Sequence, residues 1–103
     1  MEPNTNNMIE NIKEVVAKKY LLTPKDLSST KRGEVFAIPR QVAVYLACAL
    51  TKLPLENIGE VFGYDHFGMV LYSRYKIRLM VQADSGFSEE IRQLILMIKT
   101  EVV

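Results

Sequence analysis

The chain has 103 residues, of which 49% are hydrophobic and 24% charged, and its 13 Lys and Arg side chains nearly balance 12 Asp and Glu. This composition predicts one folded domain and excludes a disordered body, a general polyanion binder and a disulfide-stapled scaffold, since Cys48 is the only cysteine. The sequence contains no apolar run of about 18 residues and no signal peptide, so we expect a cytoplasmic protein that does not bind membranes.

The N-terminal third predicts two helices and a basic loop. We expect residues 1–8 to be disordered and residues 9–103 to form one domain, whose first helix runs from Met8 to about Tyr20 on helical spacing of apolar residues. Thr23-Pro24-Lys25-Asp26 combines a capping hydroxyl, a proline and a carboxylate three residues after the cap, which predicts a short helix to about Ser29. Residues 30–33 then form a polar loop that contains Lys31 and Arg32.

Two prolines predict the next two helices, because proline suits the first helical position. Pro39 is expected to open a helix that extends to about Lys52. Pro54 is expected to open a shorter helix that ends at Gly63.

The C-terminal third predicts two longer helices. After a turn over residues 64–66, the first of these helices covers about Phe67–Val81, and its apolar positions are Val70, Leu71, Ile77 and Met80. Residues 84–86 are expected to break the chain before a last helix from Ser88 to about Thr100. No segment has the pattern of a strand, so the predicted fold is an all-α compact bundle of about six helices.

The sequence does not indicate catalysis. His66 has no nucleophile or second histidine at catalytic spacing, and the three glycines between residues 59 and 68 lack the strand and Lys-Ser/Thr of a phosphate loop. Cys48 lies on an alanine-rich helix face, which favours core packing. We therefore expect a protein that is not an enzyme and holds no metal or cofactor.

The short helix from Pro54, the tight turn and the helix after it have the spacing of a helix-turn-helix, whose second helix places its first residues in the major groove. The distribution of charge along the sequence supports the hypothesis that this unit binds DNA. Residues 18–40 contain six basic and two acidic side chains, and residues 64–82 contain three basic and one acidic. Residues 84–103 hold the acidic excess, so the near-zero net charge arises from cancellation between regions.

Several residue pairs carry a family resemblance: Arg40-Gln41, Leu46-Ala47, Leu50-Thr51, Ile58-Gly59 and Phe62-Gly63, followed by Val70. Together they resemble the C-terminal DNA-binding domain of the bacterial replication initiator DnaA. The turn His66-Phe67-Gly68-Met69-Val70 is more similar to the version found in REP-associated tyrosine transposases and stand-alone DnaA-like domains.

The resemblance implies a Trp-repressor-like fold that binds double-stranded DNA, with links to replication initiation or its regulation. A recognition helix near residues 66–81 would read the major groove, and the basic loop would reach phosphates or the minor groove. The implied DNA-binding residues are Lys31, Arg32, Arg40, Gln41, His66, Phe67, Gly68, Met69, Arg74 and Lys76, of which Lys76 matches a family lysine.

The chain also departs from the DnaA pattern. DnaA has Arg-Asp-His-Thr-Thr where this chain has residues 65–69, and basic residues where it has Glu34 and Ile38. Most of the polar side chains with which DnaA reads bases are therefore replaced in this chain. A second hypothesis follows: a DnaA-like scaffold that serves as a protein-interaction module or homodimer, with Tyr64, Phe67 and Met69 forming an apolar patch.

Overall fold

The computed structural model describes residues 5–28 and 33–101. Five α-helices and one 3₁₀ helix follow one another in this part of the chain, and it contains no strand: α1 Thr5–Lys19, the 3₁₀ helix Pro24–Ser28, α2 Glu34–Leu50, α3 Leu55–Val61, α4 Gly68–Ala83 and α5 Ser85–Glu101. The expected all-α bundle of about six helices is confirmed. Residues 5–8, which we expected to be disordered, lie within α1, and residues 1–4 lie outside the described part.

The core is built around α2, which packs against α1 and α4. Its middle turns are buried on every side, from Val42 through Val44 and again at Leu46 and Ala47. The small side chains of Ala43 and Ala47 let the neighbouring helices approach closely. Apolar side chains of the other helices complete the core: Ile12, Val16, Leu27, Ile58, Phe62, Val70, Ile77 and Ile98 are all at most 1% exposed.

Pro39 does not open α2, so the prediction that it starts the helix was wrong. The helix begins at Glu34 after Gly33, and Pro39 lies buried inside it. Proline has no N–H, so the carbonyl of Val35 loses its helical hydrogen bond, at a cost of about 3 kcal/mol in a helix interior. Burial of Pro39 among the core residues offsets this cost, and tertiary packing therefore overrides the local preference.

The junction between α4 and α5 is shorter than expected. Only Asp84 interrupts the two helices, whereas residues 84–86 were predicted to form the break. The Asp84 carboxylate accepts hydrogen bonds from the N–H groups of Gly86 (2.8 Å) and Phe87 (3.1 Å), so it caps α5 and brings residues 85–87 into its first turn.

The end of α1 and the 3₁₀ helix are joined by two local motifs. Leu21 has φ +59°, and the N–H of Leu22 donates to the carbonyl of Ala17 (2.8 Å), which together form a helix-terminating Schellman motif. Thr23 and Asp26 then form the predicted capping box: Thr23 N–H donates to Asp26 (2.9 Å), and Asp26 N–H donates to the Thr23 hydroxyl (3.3 Å).

Candidate nucleic-acid interface

The α3-turn-α4 unit has the arrangement of a helix-turn-helix. Gly63, at φ +76°, ends α3 through the same motif as Leu21: Tyr64 N–H donates to the carbonyl of Gly59 (2.8 Å), and Gly63 N–H to that of Glu60 (3.2 Å). The backbone also passes close to the 3₁₀ helix here, since a Cβ on Gly63 would lie 2.6 Å from the carbonyl oxygen of Ser28. Glycine is therefore required at this position for two reasons, the positive φ and the close approach of the Ser28 carbonyl.

His66 folds back onto the first residue of α4. Its Nδ1 accepts a hydrogen bond from the N–H of Gly68 at 3.1 Å. In a neutral imidazole whose Nδ1 is the acceptor, Nε2 carries the hydrogen, so exposed His66 presents a donor to its surroundings. A Cβ at position 68 would lie 2.8 Å from Nδ1, and this geometry therefore depends on Gly68.

Several apolar side chains are exposed on and beside the outward face of α4. Phe67 and Met69 are 45% and 37% exposed, on either side of Gly68. Leu71, one of the apolar positions of the predicted helix, is 43% exposed, because Val70, Ser73 and Ile77 form the buried stripe of α4 and position 71 lies outside it. The same outward face carries three residues that were not predicted from the sequence: Tyr72, Tyr75 and Leu79. Their i, i+3, i+7 spacing is the signal by which they could have been found.

The basic side chains of α4 have no acidic neighbour within the helix. Arg74, Lys76 and Arg78 are its only charged residues. Arg74 and Arg78 line a shallow surface concavity of about 160 Å³ together with Leu71 and Tyr75. Arg78 is thus a further basic residue of this surface beyond the predicted Arg74 and Lys76.

Cys48 lies half-buried on α2, as expected of a packing residue rather than a reactive one. Burial raises the pKa of the thiol, and the positive charge of Arg74 opposes this shift only partly. The thiolate is accordingly disfavoured.

Arg40 contacts the 3₁₀ helix, and Gln41 is buried in α2. Arg40 Nε donates to the carbonyl of Leu27 (3.2 Å) and its Nη2 to that of Asp26 (3.5 Å), which fastens the 3₁₀ helix to α2. Gln41 is 7% exposed, and its Oε1 has no hydrogen-bond partner among the described residues. Lys31 and Arg32 lie outside the described residues.

An acidic concavity adjoins the N-terminus of α4. It measures about 320 Å³ and is lined by Glu56, Glu60, Tyr64, Asp65, His66 and Phe67. Its three carboxylates have no basic partner within the described ranges. Negative charge at this place repels phosphates, so it limits the affinity of any DNA complex formed by α4.

Neither a membrane-spanning helix nor a metal site is found among the described residues. No described helix is long and apolar enough to cross a membrane. Across residues 5–28 and 33–101, no group of three His, Cys, Asp or Glu side chains is placed to hold a metal ion.

Comparison with known proteins agrees with the helix-turn-helix arrangement of α3 and α4. Residues 9–77 match the family described as "Bacterial dnaA protein helix-turn-helix". The chromosomal replication initiator protein DnaA of Symbiobacterium thermophilum is 40% identical over 93 residues, which are 90% of this chain and 20% of that protein. The DnaA proteins of Rhodopseudomonas palustris and Rhizobium meliloti are 41% and 40% identical over 86 residues, or 84% of this chain and 18% of theirs. The chain thus spans about a fifth of the length of these curated relatives.

Proposed function

Because the chain belongs to the bacterial DnaA helix-turn-helix family, a DNA-binding and non-catalytic domain, we propose that it binds double-stranded DNA by placing the N-terminal turns of α4 in the major groove. The observation that carries this proposal is the α3-turn-α4 unit, in which Gly63 fixes the turn and α4 keeps an exposed face toward solvent.

Charge on α4 supports DNA as the partner. Three basic and no acidic side chains lie along this helix, so it complements the phosphates that border a major groove. His66 adds an Nε2–H donor beside Phe67, at the position where the recognition helix of a helix-turn-helix meets base edges.

The segment before α2 supplies a second contact. We assign Lys31 and Arg32 to phosphates or the adjacent minor groove. Arg40 holds the 3₁₀ helix that precedes this segment, and Gln41 is buried in α2. We therefore assign Arg40 to positioning the 3₁₀ helix rather than to a contact with base edges.

Replication initiation is the cellular setting we propose, acting in the cytoplasm, because the matched relatives are named chromosomal replication initiator proteins. A duplex that contains the DnaA box is accordingly the first to test. Residues 65–69 differ from the DnaA turn, so duplexes selected from a random pool by the purified chain are tested beside it.

Fluorescence anisotropy with labelled duplexes, at salt from about 50 to 200 mM, measures the proposed binding. The logarithm of the association constant falls with a slope of about −0.9 per phosphate contacted, so three contacts give about −2.7. Lys76→Gln is expected to make this slope shallower by about 0.9, because one phosphate contact is lost. Lys99→Gln on α5 is expected to leave the slope unchanged. Absence of binding to any duplex at low salt would refute the proposal.

A second candidate is a protein-interaction module, favoured by the exposed apolar residues of α4. Phe67 and Met69 are exposed, although Tyr64, the third residue expected in this patch, is half-buried. Light scattering on the wild type and Phe67→Glu distinguishes the candidates. A dimer that dissociates on substitution, without DNA binding, would support this alternative.

A further inference from the structure

We propose that a second copy of this chain covers one side of α4, in an antiparallel dimer with two-fold symmetry. In each copy, the acidic concavity at the N-terminus of α4 receives Arg74 and Arg78 of the other copy. This contact goes beyond the proposed DNA binding and does not depend on it, because it uses a side of the helix that Lys76 does not share.

One side of α4 carries a basic and apolar surface. Arg74 and Arg78 line the shallow concavity of about 160 Å³ together with Leu71 and Tyr75, at the i, i+3, i+4, i+7 spacing of one helix face. Leu71 and Tyr75 are 43% and 61% exposed. Neither arginine pairs with a carboxylate within residues 5–28 and 33–101. Guanidinium groups beside exposed apolar side chains fit a partner surface that supplies carboxylates.

An acidic surface continues this side of α4 beyond its N-terminus. Phe67 lines the acidic concavity of about 320 Å³, and Leu71, about one helical turn later, lines the basic one. The two concavities therefore adjoin along the helix. Glu56, Glu60 and Asp65 give the acidic end three carboxylates without a basic partner in the described part of the chain. Each copy thus carries a negative and a positive end on one continuous surface.

A surface with opposite charges at its two ends is complementary to a copy of itself turned by 180°. In a two-fold interface, residue i of one copy contacts residue j of the other, and j contacts i. With Leu71 at the axis, the helical rise places Arg74 about 5 Å and Arg78 about 10 Å to one side. Phe67 and the acidic concavity begin about 6 Å to the other side. The arginines of each copy therefore lie opposite the carboxylates of its partner, and the two copies of Leu71 pack together on the axis.

The other side of α4 remains open in this dimer. Lys76 is two residues from both Arg74 and Arg78, and two residues correspond to a rotation of about 200° around a helix. The phosphate contact assigned to Lys76 above is therefore retained. The acidic concavity also decides against a duplex as the partner of the dimer side, because its carboxylates repel phosphates. DNA binding and dimer formation thus use different sides of the same helix, and either can fail without the other.

Charge reversal tests the pairing of the two ends. Glu60→Arg and Arg78→Glu each place like charges opposite one another at both symmetry-related contacts, so each variant is expected to dimerise about tenfold more weakly than the wild type. An equimolar mixture of the two variants is expected to recover the wild-type affinity, because opposite charges then meet at both contacts. Sedimentation equilibrium from about 10 µM to 1 mM protein measures these association constants. Raising the salt from about 50 to 500 mM is expected to weaken the wild-type dimer.

The apolar centre of the interface has a matched control. Leu71→Ser is expected to weaken the dimer about tenfold. Leu96→Ser, at a leucine of similar exposure on α5, is expected to leave it unchanged. All four substituted side chains are exposed, so the variants should keep the helical circular dichroism of the wild type.

Two results would overturn this inference and leave the proposed DNA binding intact. One is a chain that binds duplexes but stays monomeric up to about 1 mM at low salt. The other is a mixture of Glu60→Arg and Arg78→Glu that associates no more tightly than the separate variants. A dimer that shows the expected charge reversal but binds no duplex would support the inference and refute the proposed function.

Discussion

Replacing Gly63 by alanine should destabilise the fold by about 3 kcal/mol. A residue with a Cβ pays about 1–2 kcal/mol in the left-handed region that Gly63 occupies at φ +76°. The new Cβ would also lie 2.6 Å from the Ser28 carbonyl oxygen, and forcing apart two packed backbones costs roughly 1–3 kcal/mol. The loss is a large part of the roughly 5–15 kcal/mol that stabilises an ordinary domain.

Urea unfolding followed by circular dichroism at 222 nm measures this loss, and a matched control separates its two causes. Leu21 occupies the same position of the same motif at the end of α1, but its side chain is 92% exposed and meets no packed backbone. Leu21→Gly should therefore gain about 1 kcal/mol, which isolates the conformational part. If Gly63→Ala loses no more than about 1.5 kcal/mol, the close approach to Ser28 has no energetic role and the reasoning fails.

Three further predictions concern single side chains. Arg40→Met should lose about 2 kcal/mol of stability, because two carbonyls lose a charged donor; a stable variant with weakened DNA binding would instead assign Arg40 to the duplex. Asp65→Asn should tighten duplex binding about twofold to fivefold at 50 mM salt and less at 200 mM, as anisotropy would show, whereas an unchanged affinity would place Asp65 away from the phosphates. Hydrogen bonds from Arg92 and Gln93 lower the pKa of Glu89 from 4.5 to about 2, so the stability it adds is present above pH 4.5 and lost as pH falls toward 2. The stability difference between wild type and Glu89→Gln should shrink over that range in acid titrations, and a constant difference would contradict the assigned cause.

Local chain chemistry predicted the start of the 3₁₀ helix and the end of α3, although it missed the equally local Asp84 cap that starts α5. Thr23 and Asp26 satisfy each other's backbone groups, and Gly63 ends α3 without help from distant residues. Such motifs depend on neighbours three or four positions away, so sequence spacing is enough to identify them. The family resemblance, which rests on paired motifs from Arg40 to Val70, is confirmed by the family match over residues 9–77.

Tertiary packing placed several residues where local sequence patterns did not predict them. Pro39 has the local preference of a helix start, yet burial in the core places it six residues into α2. Leu71 is apolar and one position from the buried stripe, but only the placement of α4 on α2 decides which side faces solvent. The hydrogen bonds of Arg40 to residues 26 and 27 likewise join elements whose contact no spacing rule contains.

The contact between His66 and Gly68 constrains how this turn can evolve. A side chain at position 68 and an imidazole folded onto its N–H exclude each other, since their atoms would be 2.8 Å apart. Substitutions at the two positions are therefore not independent. A descendant that gains a polar side chain at 68 must also release or replace the histidine. The N–H at position 68 is then left to pair with water or with a bound group, so a side chain at 68 changes the hydrogen bonding of this turn as well as its shape.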